Sequence, residues 1–211
     1  MARKVARLDR RRAKRTAKAK YYLLCEGANT EPDYFNCLKN VACSNLLEIE
    51  IVGGGGVPLT LADKAVDKAV SLGLTRRKGA KKPRESFEES DKVWAVFDRD
   101  EHPNFDEAIR RCDGAGVGAA WSDPCFELWL LLHIKEYDRA CTHHEAQDDL
   151  QKLLEGYSRG RGKTCDFSEI LKNIKIAEGR AERQLNRRSE EGAEKNPSTN
   201  VYKLTRELRK K

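Results

Sequence analysis

The sequence has seven cysteines but no Cys-x-x-Cys pair, and an odd set without that spacing points to a reducing cytoplasm rather than a disulfide framework. Cys141, His143 and His144 lie close together, yet no second ligand pair stands at zinc spacing, so surface residues at a helix junction account for them better. Long apolar runs are missing too. The longest, such as LWLLL at 128–132, fall far short of the roughly 20 residues of a membrane span, so no membrane partner is expected. The glycine run at 53–56 lacks the Lys and Ser/Thr of a P-loop and reads first as a flexible turn, although a phosphate approaching the following helix start stays open. No ATPase motif occurs elsewhere, so any ATP dependence has to come from a partner.

Charge is present but unevenly placed. The chain carries a net +7, while residues 2–20 alone hold ten Lys or Arg against one Asp, which leaves the body slightly acidic. This tail has no apolar core of a secretory signal. Arg-rich and acid-poor, it leaves three readings open: a mitochondrial transit peptide, a solvated terminus, or an arm whose Arg10, Arg11, Arg12, Lys14 and Arg15 are drawn to phosphates. A second basic stretch, with Arg76, Arg77 and Lys78, opens a segment at 75–92 that has no apolar periodicity and turns acidic, as a looped-out insertion would.

The body alternates strand and helix patterns. YYLLC (21–25) reads as a strand that breaks at Gly27, and residues 30–43 as a helix with Thr30 as N-cap and Asp33 in the capping-box position. LEIEIV (47–52) precedes a helix over 58–74 with Leu61, Ala65, Val66, Ala69 and Val70 at helical spacing. VWAVF (93–97) precedes a helix over 104–116, and VGAAWS (117–122) one over 126–137. Four β-α units in succession predict an α/β fold with a parallel, Rossmann-like sheet of about four strands flanked by helices, because right-handed crossovers place helices on both faces. Residues 1–19 are then a basic tail, 20–145 the α/β core and 146–211 a helical C-terminal extension. In that extension Ile170, Leu171, Ile174, Ala177 and Ala181 form an apolar stripe along a helix over 168–188, and Ser198 or Thr199 is an N-cap for the last helix.

Ligands of such sheets bind outside the carboxyl ends of the strands. At one such end the chain reads FDRDEH (97–102), and two carboxylates one residue apart on an extended chain, Asp98 and Asp100, project to the same side. Taken alone, Asp-x-Asp is more often a strand-ending turn than a metal site. Glu26, however, falls at the carboxyl end of the first strand.

A Glu-Gly after the first strand and an Asp-x-Asp after the third resemble the Toprim domain of topoisomerases, bacterial primases and OLD-type nucleases. The blocks CEGANTEPDYF (25–35), VFDRDEH (96–102), AWSDPCFELWLLLH (120–133) and NPSTNVYKL (196–204) resemble, in the same order, those of the RloB-like family, associated with restriction loci and abortive phage defence. The Toprim resemblance implies a Mg²⁺ site, with Mn²⁺ as a substitute, in which Asp98 and Asp100 bind the metal and Glu26 ligates or handles the proton. It implies catalysis on nucleic acid, DNA or RNA. A topoisomerase needs a nucleophilic Tyr on a separate domain and a primase its zinc-binding companion, which within Toprim chemistry leaves phosphodiester hydrolysis, while a non-catalytic module that binds nucleic acid or an ATPase partner, or phosphoryl chemistry on a small nucleotide, stays open as an alternative. The RloB-like resemblance implies an ATPase encoded nearby as partner.

Glu127, in the first turn of its helix, either adds a carboxylate to the site or favours the helix dipole. Glu31 and Glu101 flank the motif residues, but Glu31 reads as an acidic first-turn residue and neither is expected as a primary ligand. Cys25 and Cys125 read as small buried hydrophobes.

Overall fold

Side chains alternate between the two faces of a strand, and here both faces are apolar. In a computed structural model of the chain, β1 (Lys20–Cys25) and β3 (Lys92–Asp98) turn Tyr21, Leu23, Cys25, Trp94 and Val96 into one core layer, and Tyr22, Leu24, Val93, Ala95 and Phe97 into another. Such strands need helices on each side. The structure describes residues 19–41, 46–51, 57–75, 91–100, 102–159, 165–191 and 195–210. The basic tail with Arg10 to Arg15, the glycine run, Arg76, Arg77, Lys78 and Glu101 lie outside the described residues.

After β1 come α1 (Thr30–Val41), β2 (Leu46–Ile51), α2 (Pro58–Ser71), β3, α3 (Phe105–Ala115), β4 (Gly118–Asp123) and α4 (Glu127–Ile134). The chain continues through α5 (His143–Leu153), α6 (Ser168–Leu171), α7 (Ile174–Glu191), β5 (Ser198–Thr199) and α8 (Val201–Leu208). The sheet order is β2-β1-β3-β4-β5, parallel except for the antiparallel β4/β5 pair. The four expected β-α units are present, in a Rossmann-like α/β fold. Helices α2 and α3 cover one face; α1 and α4 lie on the other.

The fifth strand corrects the N-cap expectation. Ser198 and Thr199 pair with Asp123 and Ser122, and Asn200 occupies the N-cap position of α8. The Asn200 side chain does not cap. Its Oδ1 accepts from Trp121 N at 2.7 Å and its Nδ2 donates to Ala119 O at 2.9 Å, stitching the C-terminal segment to β4. Two further boundaries shift. Helix α1 starts at Thr30, with the Asn29 carbonyl accepting from Asp33 N at 2.9 Å, so Asn29 takes the place expected for Thr30. The helix expected over 168–188 divides into α6 and α7 at Lys172 and Asn173, and the Asn173 carbonyl starts α7 by accepting from Ala177 N at 3.0 Å.

Helix α4 is buried on all sides, because Leu128, Trp129, Leu130, Leu131 and Leu132 leave it no polar face. It packs against the sheet, α5 and α7, so Ala177, Ala181, Leu204 and Leu208 share one core with β1 and α1. Gly118 opens β4 because a Cβ there would lie 2.2 Å from the Trp94 ring. Among the described residues no helix is long and apolar enough to cross a membrane.

Candidate functional site

The sheet order places the topological switch point between β1 and β3, since the chain runs from β1 to β2 on one side and then crosses back past β1 to β3 on the other. Glu26 and Asp98 close those two strands. Glu26 N donates to Val96 O at 3.1 Å, continuing the ladder by one rung, and Asp98 N donates to Glu26 Oε2 at 3.3 Å. The expected meeting of the two strand ends is therefore direct.

Asp100 arrives differently from the expected extended chain. Its backbone turns to φ 38°, in the left-handed region, and its N–H donates to Pro124 O at 3.2 Å. Asp tolerates that conformation better than most residues, and non-glycine residues held there cluster at functional sites. Between the two aspartates, Arg99 points away from the cluster: Nη1 donates to Asp123 Oδ2 at 2.6 Å, and Arg99 N donates to Ser122 O at 2.8 Å.

Glu31 lies in the first turn of α1, as read from the sequence, and its charge also bears on Asp98 and Glu26. It is buried, its Oε1 accepts from Gly27 N at 3.2 Å, and a Cβ on residue 27 would fall 2.1 Å from its Oε2. Glycine at 27 thus leaves room for this carboxylate. Glu127, at the head of α4, is also buried, and its Oε1 accepts from the Tyr157 hydroxyl at 2.7 Å.

These acids act on one another. Burial raises the Asp98 carboxyl well above the usual carboxylate range, and the charges of Glu31, Glu127, Asp100 and Glu26 push the same way. Burial lifts Glu26 to about 7, helped by Glu31 and Asp100 and opposed by the Asp98 N–H. Burial also raises the Cys25 and Cys125 thiols, next to Glu31 and Glu127, which suits small core residues rather than thiolate nucleophiles.

Hard carboxylate oxygens gathered at unfavourable cost are a donor set that fits Mg²⁺. Among the described residues no three His, Cys, Asp or Glu side chains form a ready-made ligand group. Mg²⁺ needs none, since it keeps several waters and is held through one or two carboxylates plus substrate phosphates.

A histidine edge borders Asp100. His143 Nδ1 lies 3.8 Å from Asp100 Oδ1, its ring centroid is 3.9 Å from that of His144, and Arg159 bonds His144 while its Nη1 holds Asp148 Oδ1 at 3.2 Å. Cys141 is buried, not on the surface as expected, and its backbone exchanges hydrogen bonds with the Asn196 side chain. Of the Gly-x-Ser-x-Gly spacing at 156–160, the described residues 156–159 follow α5 and form no strand-to-helix elbow of the kind that exposes a serine nucleophile.

A family model described as RloB-like protein matches residues 21–208. The chain belongs to the RloB-like family. Comparison with curated proteins and with solved structures gave no match. The RloB-like match spans Glu26, Glu31, Asp98, Asp100 and Glu127, and it begins after the basic tail.

Proposed function

We propose that this RloB-like protein is a Mg²⁺-dependent phosphodiester hydrolase of Toprim type, acting on nucleic acid in the cytoplasm as the effector of an antiviral defence system with an ATPase partner. One observation carries the reading: Glu26, Glu31, Asp98, Asp100 and Glu127 crowd the carboxyl ends of the strands around the switch point. Crowded acids in a half-buried site repel until a cation or protons join them.

Asp98 and Asp100 would hold the cation, with Glu26 beside them as ligand or proton carrier. Mg²⁺ bound there supplies charge neutralisation and polarises a phosphoryl oxygen. Glu26 is suited to proton transfer from an attacking water, because a carboxyl pushed up to about 7 exchanges its proton near neutral pH. The Asp98 N–H on Oε2 fixes the orientation of that carboxyl. Asp100, the most exposed of the set, stands at the rim where a phosphate would enter.

One observation favours a second reading, a non-catalytic module that binds nucleic acid or an ATPase: among the described residues the carboxylates do not form a closed ligand group. The deciding experiment is metal-dependent cleavage of a panel of DNA and RNA substrates, with and without the ATPase encoded beside the gene. Cleavage that needs Mg²⁺ or Mn²⁺ and disappears in Asp98→Asn supports the hydrolase. Binding without cleavage under every condition supports the module.

A further inference from the structure

The loop that follows α4 lies against α7, whose Arg180, Arg183, Gln184 and Arg187 recur at helical spacing and share one face. With Leu132 and the stretch 136–138 they line a cavity of about 320 Å³. Small-molecule sites run from roughly 300 to 1,000 Å³. The cavity stands past the carboxyl end of α4, whereas Glu127 heads that helix.

Stitching the loop to α7 explains much of this face. Arg183 Nη2 donates to Glu136 Oε1 at 3.2 Å, Arg187 and Arg188 hold Asp138, and Gln184 Nε2 donates to Tyr137 O. Two groups are left over. Arg180 has no carboxylate partner among the described residues: a guanidinium carries five N–H donors, and here one is used, from Nη1 to Leu132 O at 2.8 Å. Gln184 is 4% exposed, and its Oε1 is buried with no hydrogen-bond partner among the described residues. Turning the amide over would set its oxygen against the Tyr137 carbonyl, so the orientation is fixed and the acceptor stays unserved. Buried acceptors are paired in the great majority of cases. The donor has to come from outside these side chains.

Charge selects the class of ligand. Arg180, Arg183, Arg187 and Arg188 stand against Glu136 and Asp138, which leaves two positive charges in excess. A phosphate monoester carries about −1.5 to −2 at neutral pH and offers three acceptor oxygens to planar guanidinium donors. A single carboxylate balances half of that excess. We infer that the cavity binds a small organic phosphate, a monoester whose organic part carries an O–H or N–H donor. Arg180 is the principal partner of the phosphate, and Gln184 Oε1 accepts from the organic part, directly or through one water. The site does not rest on the reading of the strand-end acids.

The test is calorimetric titration of the full chain with AMP, ribose 5-phosphate and methyl phosphate, in chelator at constant ionic strength, with folding checked by circular dichroism. AMP and ribose 5-phosphate bind, and methyl phosphate, which has no donor for Gln184, binds more weakly. Arg180→Gln lowers AMP affinity by about 10- to 100-fold, as expected for one charge-assisted contact. Lys175→Gln removes an equal charge from an exposed position on the same helix and changes the affinity little. If Arg180→Gln fails to fold, the exposed Arg187→Gln takes its place and lowers the affinity in the same way. A folded wild-type chain that binds none of the three probes at millimolar concentration overturns the inference. So do equal losses in Arg180→Gln and Lys175→Gln, which would mean that binding follows net charge. Methyl phosphate binding as tightly as ribose 5-phosphate removes the role of Gln184, and malonate binding as tightly as AMP removes the phosphate assignment. A single-stranded oligonucleotide without a terminal phosphate that binds more tightly than AMP, through Arg180, makes the cavity part of a nucleic-acid track and overturns the small ligand.

Discussion

The Asp98 backbone N–H points at the Glu26 carboxylate, 3.3 Å from Oε2, so the ends of two neighbouring strands share one acid. The carboxyl that crowns β1 is steered by the main chain of β3, and any change that separates the strand ends disturbs both residues at once.

Asp98→Asn preserves shape and removes charge. If the chain is the hydrolase proposed above, cation-dependent cleavage falls by about 100-fold or more, since the metal would contribute several kcal/mol of transition-state stabilisation. Metal-free stability rises, because the charges of Glu31, Glu127, Asp100 and Glu26 no longer oppose a fifth. Urea denaturation in a chelator, beside a cleavage assay in Mg²⁺, reads both changes.

Glu26 makes metal-free stability depend on pH. Its folded pKa of about 7 lies above the ordinary 4.5, so the folded state binds the proton more tightly than the unfolded chain. The stabilisation is whole below about pH 4.5 and is lost as pH rises through 7. Denaturation midpoints in chelator should therefore fall across that window, and Glu26→Gln should flatten the fall. An equally steep profile in the variant would assign the effect to Asp98, which is shifted in the same direction. Added Mg²⁺ should restore stability at the upper end, because it favours the charged form.

Arg99→Ala strips the buried Asp123 of its cation. Breaking a buried pair costs about 3–5 kcal/mol, and the partial exposure of Arg99 places this case lower, at about 2 kcal/mol. A thermal or urea melt measures it, and Arg99→Lys recovers only part because it cannot present the same planar donor. No loss in Arg99→Ala would mean that Asp123 is protonated in the fold, the direction in which burial pushes it.

The basic tail tests a different step. A chain that begins at Ala19 lacks Arg10, Arg11, Arg12, Lys14 and Arg15. If the tail lies along duplex backbone through about four to six contacts, its removal flattens the log–log salt dependence of binding by about 4 to 5 units. Cleavage at saturating substrate survives. Equal slopes with and without the tail would move the expectation to Arg76, Arg77 and Lys78.

The strand ends were legible in the sequence because apolar runs stopped at acids: Glu26, Asp98 and Asp100 each follow a run that packs in the core. Glu31 was not. Its place in a first turn matches a helix-dipole residue, and only the space left by Gly27 turns it toward the cluster. The two-residue strand β5 was hidden for a related reason, since Asn-Pro-Ser-Thr-Asn is turn and cap chemistry until an unpaired edge lies beside it. Tyr157 carries no local signal, because its partner stands 30 residues earlier in the chain. The helix break at Asn173 lay inside an apolar stripe that runs through both pieces.

The pairing of β4 with β5 also sets a schedule for synthesis. Ser122 and Thr199, whose hydroxyls meet at 3.0 Å, are 77 residues apart in the chain. At roughly 5–20 residues per second a ribosome takes several seconds to cover that distance. During the interval β3 and β4 already have their residues, while the outer edge of β4 offers unpaired backbone groups to any strand nearby. The last strand to be made is the one that closes the edge, so a nascent chain passes through a sticky stage that a finished one does not have.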